Sequence, residues 1–203
     1  MIAVSSSGPF EGKTTIACNL AIAFAEINWN TLLIDGDMRR PRLHSIFGIQ
    51  NETGLATLLQ SERPVSDLAA AAQPTEIPNL HVLPRGKLRS TPVNLLYSQQ
   101  FPEILKEAKQ RYDVVLIDTP PMLHLPDARA IGHAADGVVF VVRSGKTTRD
   151  TILSARDRFD QDDINVLGSI LNDWNPKLAG YYGYENYRDY RSYYQPTSDS
   201  DQG

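Results

Sequence analysis

The chain has 203 residues, 41% of them hydrophobic, which suits one α/β domain with a sizeable core and a tail. Its 20 basic and 24 acidic side chains give a formal charge of −4, which argues against a protein that coats nucleic acid or anionic lipid by charge. One cysteine, Cys18, excludes a disulfide or zinc framework, and no signal-peptide core or run of about 20 apolar residues is present, so the expected location is cytoplasmic.

The first apolar run, Ile2 to Val4, reads as a buried strand. It leads into Ser5-Ser6-Ser7-Gly8-Pro9-Phe10-Glu11-Gly12-Lys13-Thr14-Thr15 and then a helix from Lys13 to Glu26, with Ile16, Leu20 and Phe24 at i, i+4 and i+8. A Gly-Lys-Thr between a strand and a helix is the setting of a phosphate-cradling loop, in which backbone N–H groups and the helix N-terminus face a polyphosphate. Residues Ser7, Gly8, Pro9, Phe10, Glu11, Gly12, Lys13, Thr14 and Thr15 are the expected ATP contacts. Lys13 would reach the β and γ phosphates, and the Thr14 hydroxyl would serve Mg²⁺. Ser7 stands where the strict G-x-x-x-x-G-K-[ST] pattern opens on glycine. Cys18, beside Ala17, Leu20 and Ala21, reads as a core-facing residue of this helix.

A second strand, Thr31 to Ile34, runs into Asp35-Gly36-Asp37. Between Pro41 and Pro78 the pattern loosens into an inserted helical or loop region. Further buried strands are expected at Leu80 to Leu83, Val114 to Ile117, Val138 to Val142 and Val166 to Leu171, with a helix at Phe101 to Arg111. Alternating strands and helices imply a doubly wound, mainly parallel sheet of the P-loop NTPase kind. Asp118 ends the Val114 strand, so two acidic motifs fall at the strand edge where such sheets bind ligands. Asp37 and Asp118 are assigned to the metal shell, directly or through water, and Asp35 to the incoming hydroxyl; the bland alternative is that these aspartates cap turns. Arg39, Arg40 and Arg143 are open between phosphate contacts and solvent.

After Asn172 the composition turns to Gly, Tyr, Asn, Asp and Arg, so residues 1–175 are expected to form the ATP-binding domain and 176–203 a mobile tail. Seven of the nine tyrosines fall there: Tyr181, Tyr182, Tyr184, Tyr187, Tyr190, Tyr193 and Tyr194. A tyrosine–arginine tail could stack on bases, but nothing else in the chain reads as a nucleic-acid module.

The motifs Ser7 to Thr14, Leu32 to Pro41 and Val114 to Pro121, in this order and with a terminal tyrosine cluster, resemble the bacterial tyrosine kinases of capsule and exopolysaccharide export, the BY-kinases. The likeness extends through Leu83-Pro84-Arg85-Gly86, Asp127-Ala128 and Val142 to Asp150. It implies transfer of the ATP γ-phosphate to the clustered tyrosines, often on a neighbouring subunit, with Asp35 as base or orienter, Asp37 and Asp118 on Mg²⁺, and Asn172 on the adenine side. It also implies a homo-oligomer, a transmembrane polysaccharide co-polymerase or activator as partner, and a peripheral place at the inner face of the plasma membrane. Two departures bear on assembly. Thr91-Pro92-Val93-Asn94-Leu95-Leu96 stands where many members read Asn-Pro-x-Glu-Leu-Leu, and no Glu-x-x-Arg-x-x-Arg segment precedes Ile2, leaving a ring open. The alternative functions are a partition-type dimeric switch ATPase, whose signature lysine would fall at Gly8, and a nucleotide-sensing subunit without phosphotransfer.

Overall fold

Strands β1 (Ile2–Ser6) and β2 (Thr31–Asp35) each carry three successive apolar residues, Ile2 to Val4 and Leu32 to Ile34, because both of their faces are covered. Helix α1 (Lys13–Glu26) joins them. Helices α2 (Leu43–Ile46), α3 (Leu55–Leu59) and α4 (Leu68–Ala71) follow, then a two-residue strand β3 (Gln73–Pro74) and β4 (Leu80–Leu83). A 3₁₀ helix (Pro92–Tyr97) precedes α5 (Gln100–Arg111), β5 (Val114–Asp118), α6 (Pro126–Ala134), β6 (Gly137–Arg143), α7 (Arg149–Gln161) and β7 (Val166–Asn172). This computed structural model describes residues 1–61, 67–88, 92–123 and 125–175. The tail 176–203, with its seven tyrosines, lies outside the described residues, as does Thr91.

The strands form one sheet in the order β3-β4-β2-β5-β1-β6-β7, parallel except for β3. The chain leaves β1 toward β2, past β5, and leaves β5 toward β6, past β1, and the two connections run on opposite faces of the sheet, α1 on one and α6 on the other. A crevice opens beyond the carboxyl ends of the strands. Successive residues alternate between two cores. Val4, Leu33, Leu116 and Val141 pack with α1 on one face, while Ala3, Leu32, Ile34, Ile117 and Phe140 belong to the larger core on the other.

Every expected parallel strand is present, most extended by a residue or two at their ends. The loose stretch after Pro41 resolves into three short helices and β3, which pairs antiparallel with β4. One expectation is refined and one corrected. The most buried stripe of α1 is Ala17, Cys18, Ala21 and Ala25, with Ile16, Leu20 and Phe24 only partly buried beside it. Small side chains let α1 lie close on the sheet. The Val166 strand is not buried: among the described residues β7 is the sheet edge, paired with β6 alone, and Leu167 and Leu171 are 53% and 55% exposed. Met1–Asn172 forms one compact unit. Among the described residues no helix is long and apolar enough to cross a membrane.

Candidate nucleotide and phosphotransfer site

The segment between β1 and α1 is shaped from below. The Ser6 hydroxyl donates to the Gly8 carbonyl at 2.8 Å, and the Ser7 hydroxyl donates to both Glu11 carboxylate oxygens at 2.8 and 2.9 Å. Phe10 and Gly12 have φ of 62° and 92°, in the left-handed region. Gly12 is required twice, because a Cβ there would also lie 2.0 Å from the Asn172 amide nitrogen, which donates to the Glu11 carbonyl at 2.9 Å. The first turn of α1 carries no acidic side chain and Gly12 supplies no side-chain cap. Its N–H groups and positive dipole end are left for an anion.

On the other side of the crevice β2 and β5 run in register to their last residues, so Asp35 sits directly opposite Asp118. Gly36 continues the pairing, its N–H donating to the Asp118 carbonyl at 2.8 Å; a Cβ on Gly36 would stand 2.7 Å from that same oxygen. Asp35, Asp118 and Asp37 are 0%, 2% and 6% exposed. Asp35 Oδ2 accepts the Arg42 and Leu43 N–H groups at 3.0 and 3.1 Å, and Asp37 Oδ1 accepts those of Arg39 and Arg40 at 3.1 and 2.9 Å. The two carboxylates thus pin the backbone after β2. Asp37 Oδ2 is 4.0 Å from Lys13 Nζ, and Lys13 and Thr14 both act on the Asp118 carboxyl, drawing it toward its charged form.

Asp35 Oδ1 and Asp118 Oδ1 are buried without a hydrogen-bond partner. Burial, then the Asp118 charge, pushes the Asp35 carboxyl up to about 7. Burial likewise lifts Asp118 to about 7 against the opposing pull of Lys13 and Thr14. Beneath them the Cys18 thiol is pushed up to about 12, by burial first and then by Asp118 and Asp35, which leaves it inert. Unpartnered oxygens in such a place are what a site completed by a ligand leaves behind. Among the described residues no three His, Cys, Asp or Glu side chains gather into a metal site of their own. Thr14, Asp37 and Asp118 offer oxygen donors, which suit a Mg²⁺ whose remaining ligands would be phosphate oxygens and water.

Residues 1–155 match the family model of an AAA domain. The chain is 37% identical over 187 residues to the tyrosine-protein kinase YwqD of Bacillus subtilis, covering 90% of this chain and 77% of that one. It belongs to the bacterial tyrosine-protein kinases. Of longer relatives in this group it spans about a quarter. The kinase domain of the Escherichia coli tyrosine kinase ETK superposes with a TM-score of 0.79 at 31% identity, over 84% of this chain and 66% of that one. The septum site-determining protein MinD of Pyrococcus horikoshii, complexed with Mg-ADP, gives 0.70 at 25% identity, over 86% and 70%.

In this kinase the crevice is a cleft of about 640 Å³ lined by Pro9, Phe10, Gly12, Lys13, Thr14, Thr15 and Asp37 among the anticipated residues. Ser7 and Glu11 are buried under the loop, the Gly8 N–H is turned to Glu11, and Asn172 holds the loop from the side; none of the four lines the cleft. Asp35 and Asp118 lie behind the lining. Arg39, Arg40 and Arg143 all line the cleft as well; Arg39 is paired at 3.1 Å with the fully buried Asp127 at the start of α6, and Arg143 donates to the Phe10 carbonyl at 2.9 Å. The cleft also includes Arg42, Ile46 and Leu125, which sequence reading did not single out, and Pro121, which closes the Val114 to Pro121 motif. Only Pro121 carried a signal, its place just after the acidic strand end.

Proposed function

We propose that this kinase binds Mg·ATP in the cleft and phosphorylates Tyr181, Tyr182, Tyr184, Tyr187, Tyr190, Tyr193 and Tyr194 of its own or a neighbouring subunit's tail. The carrying observation is the convergence of Lys13 and Thr14 with Asp37 and Asp118 at the carboxyl ends of the strands. Lys13 and the α1 N-terminus hold the phosphates, and Thr14, Asp37 and Asp118 hold the metal. Mg²⁺ supplies neutralisation of the charge that builds on the phosphate oxygens.

The tyrosine Oη attacks the γ-phosphorus, the bond from that phosphorus to the β–γ bridging oxygen breaks, ADP departs, and the phenolic proton passes to Asp35. The family resemblance assigns Asp35 this role, and two observations support it: its Oδ1 has no protein partner, and burial, then the Asp118 charge, raises its carboxyl so that it can hold a proton. Asn172 serves the adenine side only through whatever its engaged amide leaves over. The wider reading, control of capsule or exopolysaccharide polymerisation or export with a transmembrane partner, rests on family resemblance.

The test is incubation of the purified chain with Mg·ATP followed by intact mass and peptide mapping. Phosphates on the tail tyrosines are expected, and changing all seven to Phe should abolish them while ADP binding persists. Phosphate release without mass gain would favour the switch ATPase, and undiminished labelling of the all-Phe variant would remove the tail as substrate.

A further inference from the structure

Glu11 is a carboxylate within a loop shaped for polyphosphate, where its charge is adverse, and it is only 4% exposed. Its surroundings explain how it is kept there. Ser7 Oγ donates to both of its oxygens, the Gly8 N–H donates to Oε2 at 2.7 Å, and the Thr147 hydroxyl donates to Oε1. Three donors converge on two oxygens, and a carboxylate has acceptor sites for all of them.

Thr147 lies outside the loop, in the turn between β6 and α7, and its Oγ1 is itself fixed by the Arg143 N–H at 3.0 Å. Two more tethers reach the loop from the same side: Asn172 Nδ2 to the Glu11 carbonyl, and the Arg143 guanidinium to the Phe10 carbonyl. All three arrive from the ends of β6 and β7, across the sheet from Asp35 and Asp37. Between these tethers Phe10 holds a left-handed backbone, a conformation that a bulky residue keeps only when its neighbours impose it.

We propose that Glu11 is the positioning residue of the phosphate loop and Thr147 its anchor: through this pair the β6–α7 turn sets the loop shape that presents Lys13, Thr14 and the α1 N-terminus to phosphate. Ser7, in place of the opening glycine, makes such a partner necessary, because its buried hydroxyl would otherwise lack an acceptor. Glu11 itself touches no substrate. Its carboxylate acts only through the backbone that it holds.

This inference rests on the cleft being a nucleotide site, so the test begins with calorimetric titration of the wild-type chain with Mg·ADP; failure to bind there would overturn that reading and this one with it. Given binding, Thr147→Val keeps the side-chain shape and removes the hydroxyl. It should weaken Mg·ADP about tenfold, the size of one charge-assisted hydrogen bond, while Thr147→Ser should bind as wild type does. Glu11→Ala should weaken it more, and Glu11→Ala with Thr147→Val by clearly less than the two effects combined, because the Thr147 hydroxyl then keeps only the Arg143 N–H. Melting of the nucleotide-free variants separates stability from positioning. If Thr147→Val lowers only the melting temperature and binds Mg·ADP normally, or if the two substitutions simply add, the clamp is refuted. Should Glu11→Ala not fold, the Val and Ser variants of Thr147 decide the matter alone.

Discussion

On the β2–β5 flank of the phosphate loop, Asp35 and Asp118 are buried and each keeps one carboxylate oxygen without a partner, whereas on the β6–β7 flank Glu11 is equally buried and both of its oxygens are hydrogen-bonded. Burial does not distinguish the two flanks; the accounting of donors does. An unsatisfied buried polar group costs about 1–3 kcal/mol, so the aspartate flank carries a destabilisation that the folded chain tolerates and a bound cation would relieve. The glutamate flank is self-contained and asks for nothing from a ligand. Stored cost on one side and completed structure on the other are the marks of chemistry and of scaffold.

The largest effect is expected where the flanks meet. Lys13 is the cation nearest Asp37 and the strongest pull on Asp118, and it lines the cleft. Lys13→Met should reduce phosphate transfer from ATP by about 10³ or more, in line with loss of a preorganised charge at the transferring group. Its side chain contributes little to the core, so the melting temperature should stay within a few degrees. Radiolabel transferred at a rate near that of wild type would remove Lys13 from the site.

Asp118→Asn breaks the aspartate flank alone. Turnover should fall by about 10² or more, while the nucleotide-free protein becomes more stable at high pH. The sign follows from the raised carboxyl. Below pH 4 both folded and unfolded forms are protonated and the shift has no effect; between 4 and 7 the unfolded chain ionises first, so stability falls as pH rises; above 7 the full cost is in place. Asparagine escapes it. The variant should melt several degrees above wild type at pH 8 and close to it at pH 4, each kcal/mol being about 2–4 °C in a chain of this size. Equal melting at both pH values would show that Asp118 carries no stored cost.

The same contrast explains what could be read from the sequence. The strands, the loop and the acidic strand ends were legible because each is written locally: an apolar run, a Gly-Lys-Thr at a helix start, an aspartate closing Val114 to Ile117. The Glu11–Thr147 contact was not, since its partners are 136 residues apart and neither type is unusual where it stands. Asp127 was visible only as part of a resemblance, and its pairing with Arg39 depends on α6 starting over the crevice. The exposure of β7 was hidden for a related reason: Val166 to Leu171 is as apolar as a central strand, and only the sheet order makes it an edge.

The smallest effect sharpens the comparison most. Below pH 7 Asp118 holds a proton that a cation must displace, so binding of Mg·ADP should release it and strengthen as pH rises. One released proton gives about tenfold in affinity for each pH unit below 7 and levels off above it. Between pH 6 and 8, at a fixed concentration well above Kd, that tenfold adds about 1.4 kcal/mol to the ligand's stabilisation, or about 2–4 °C in the shift of melting temperature. Fluorimetric melting with and without Mg·ADP at pH 6, 7 and 8 measures it directly. Asp118→Asn should flatten the slope because the proton is gone. Thr147→Val should lower the shift by the same amount at every pH, since a hydroxyl has no proton to release in this range. A flat wild-type profile would detach the aspartate flank from the metal, and a slope changed by Thr147→Val would mean that the two flanks are not separate devices but one.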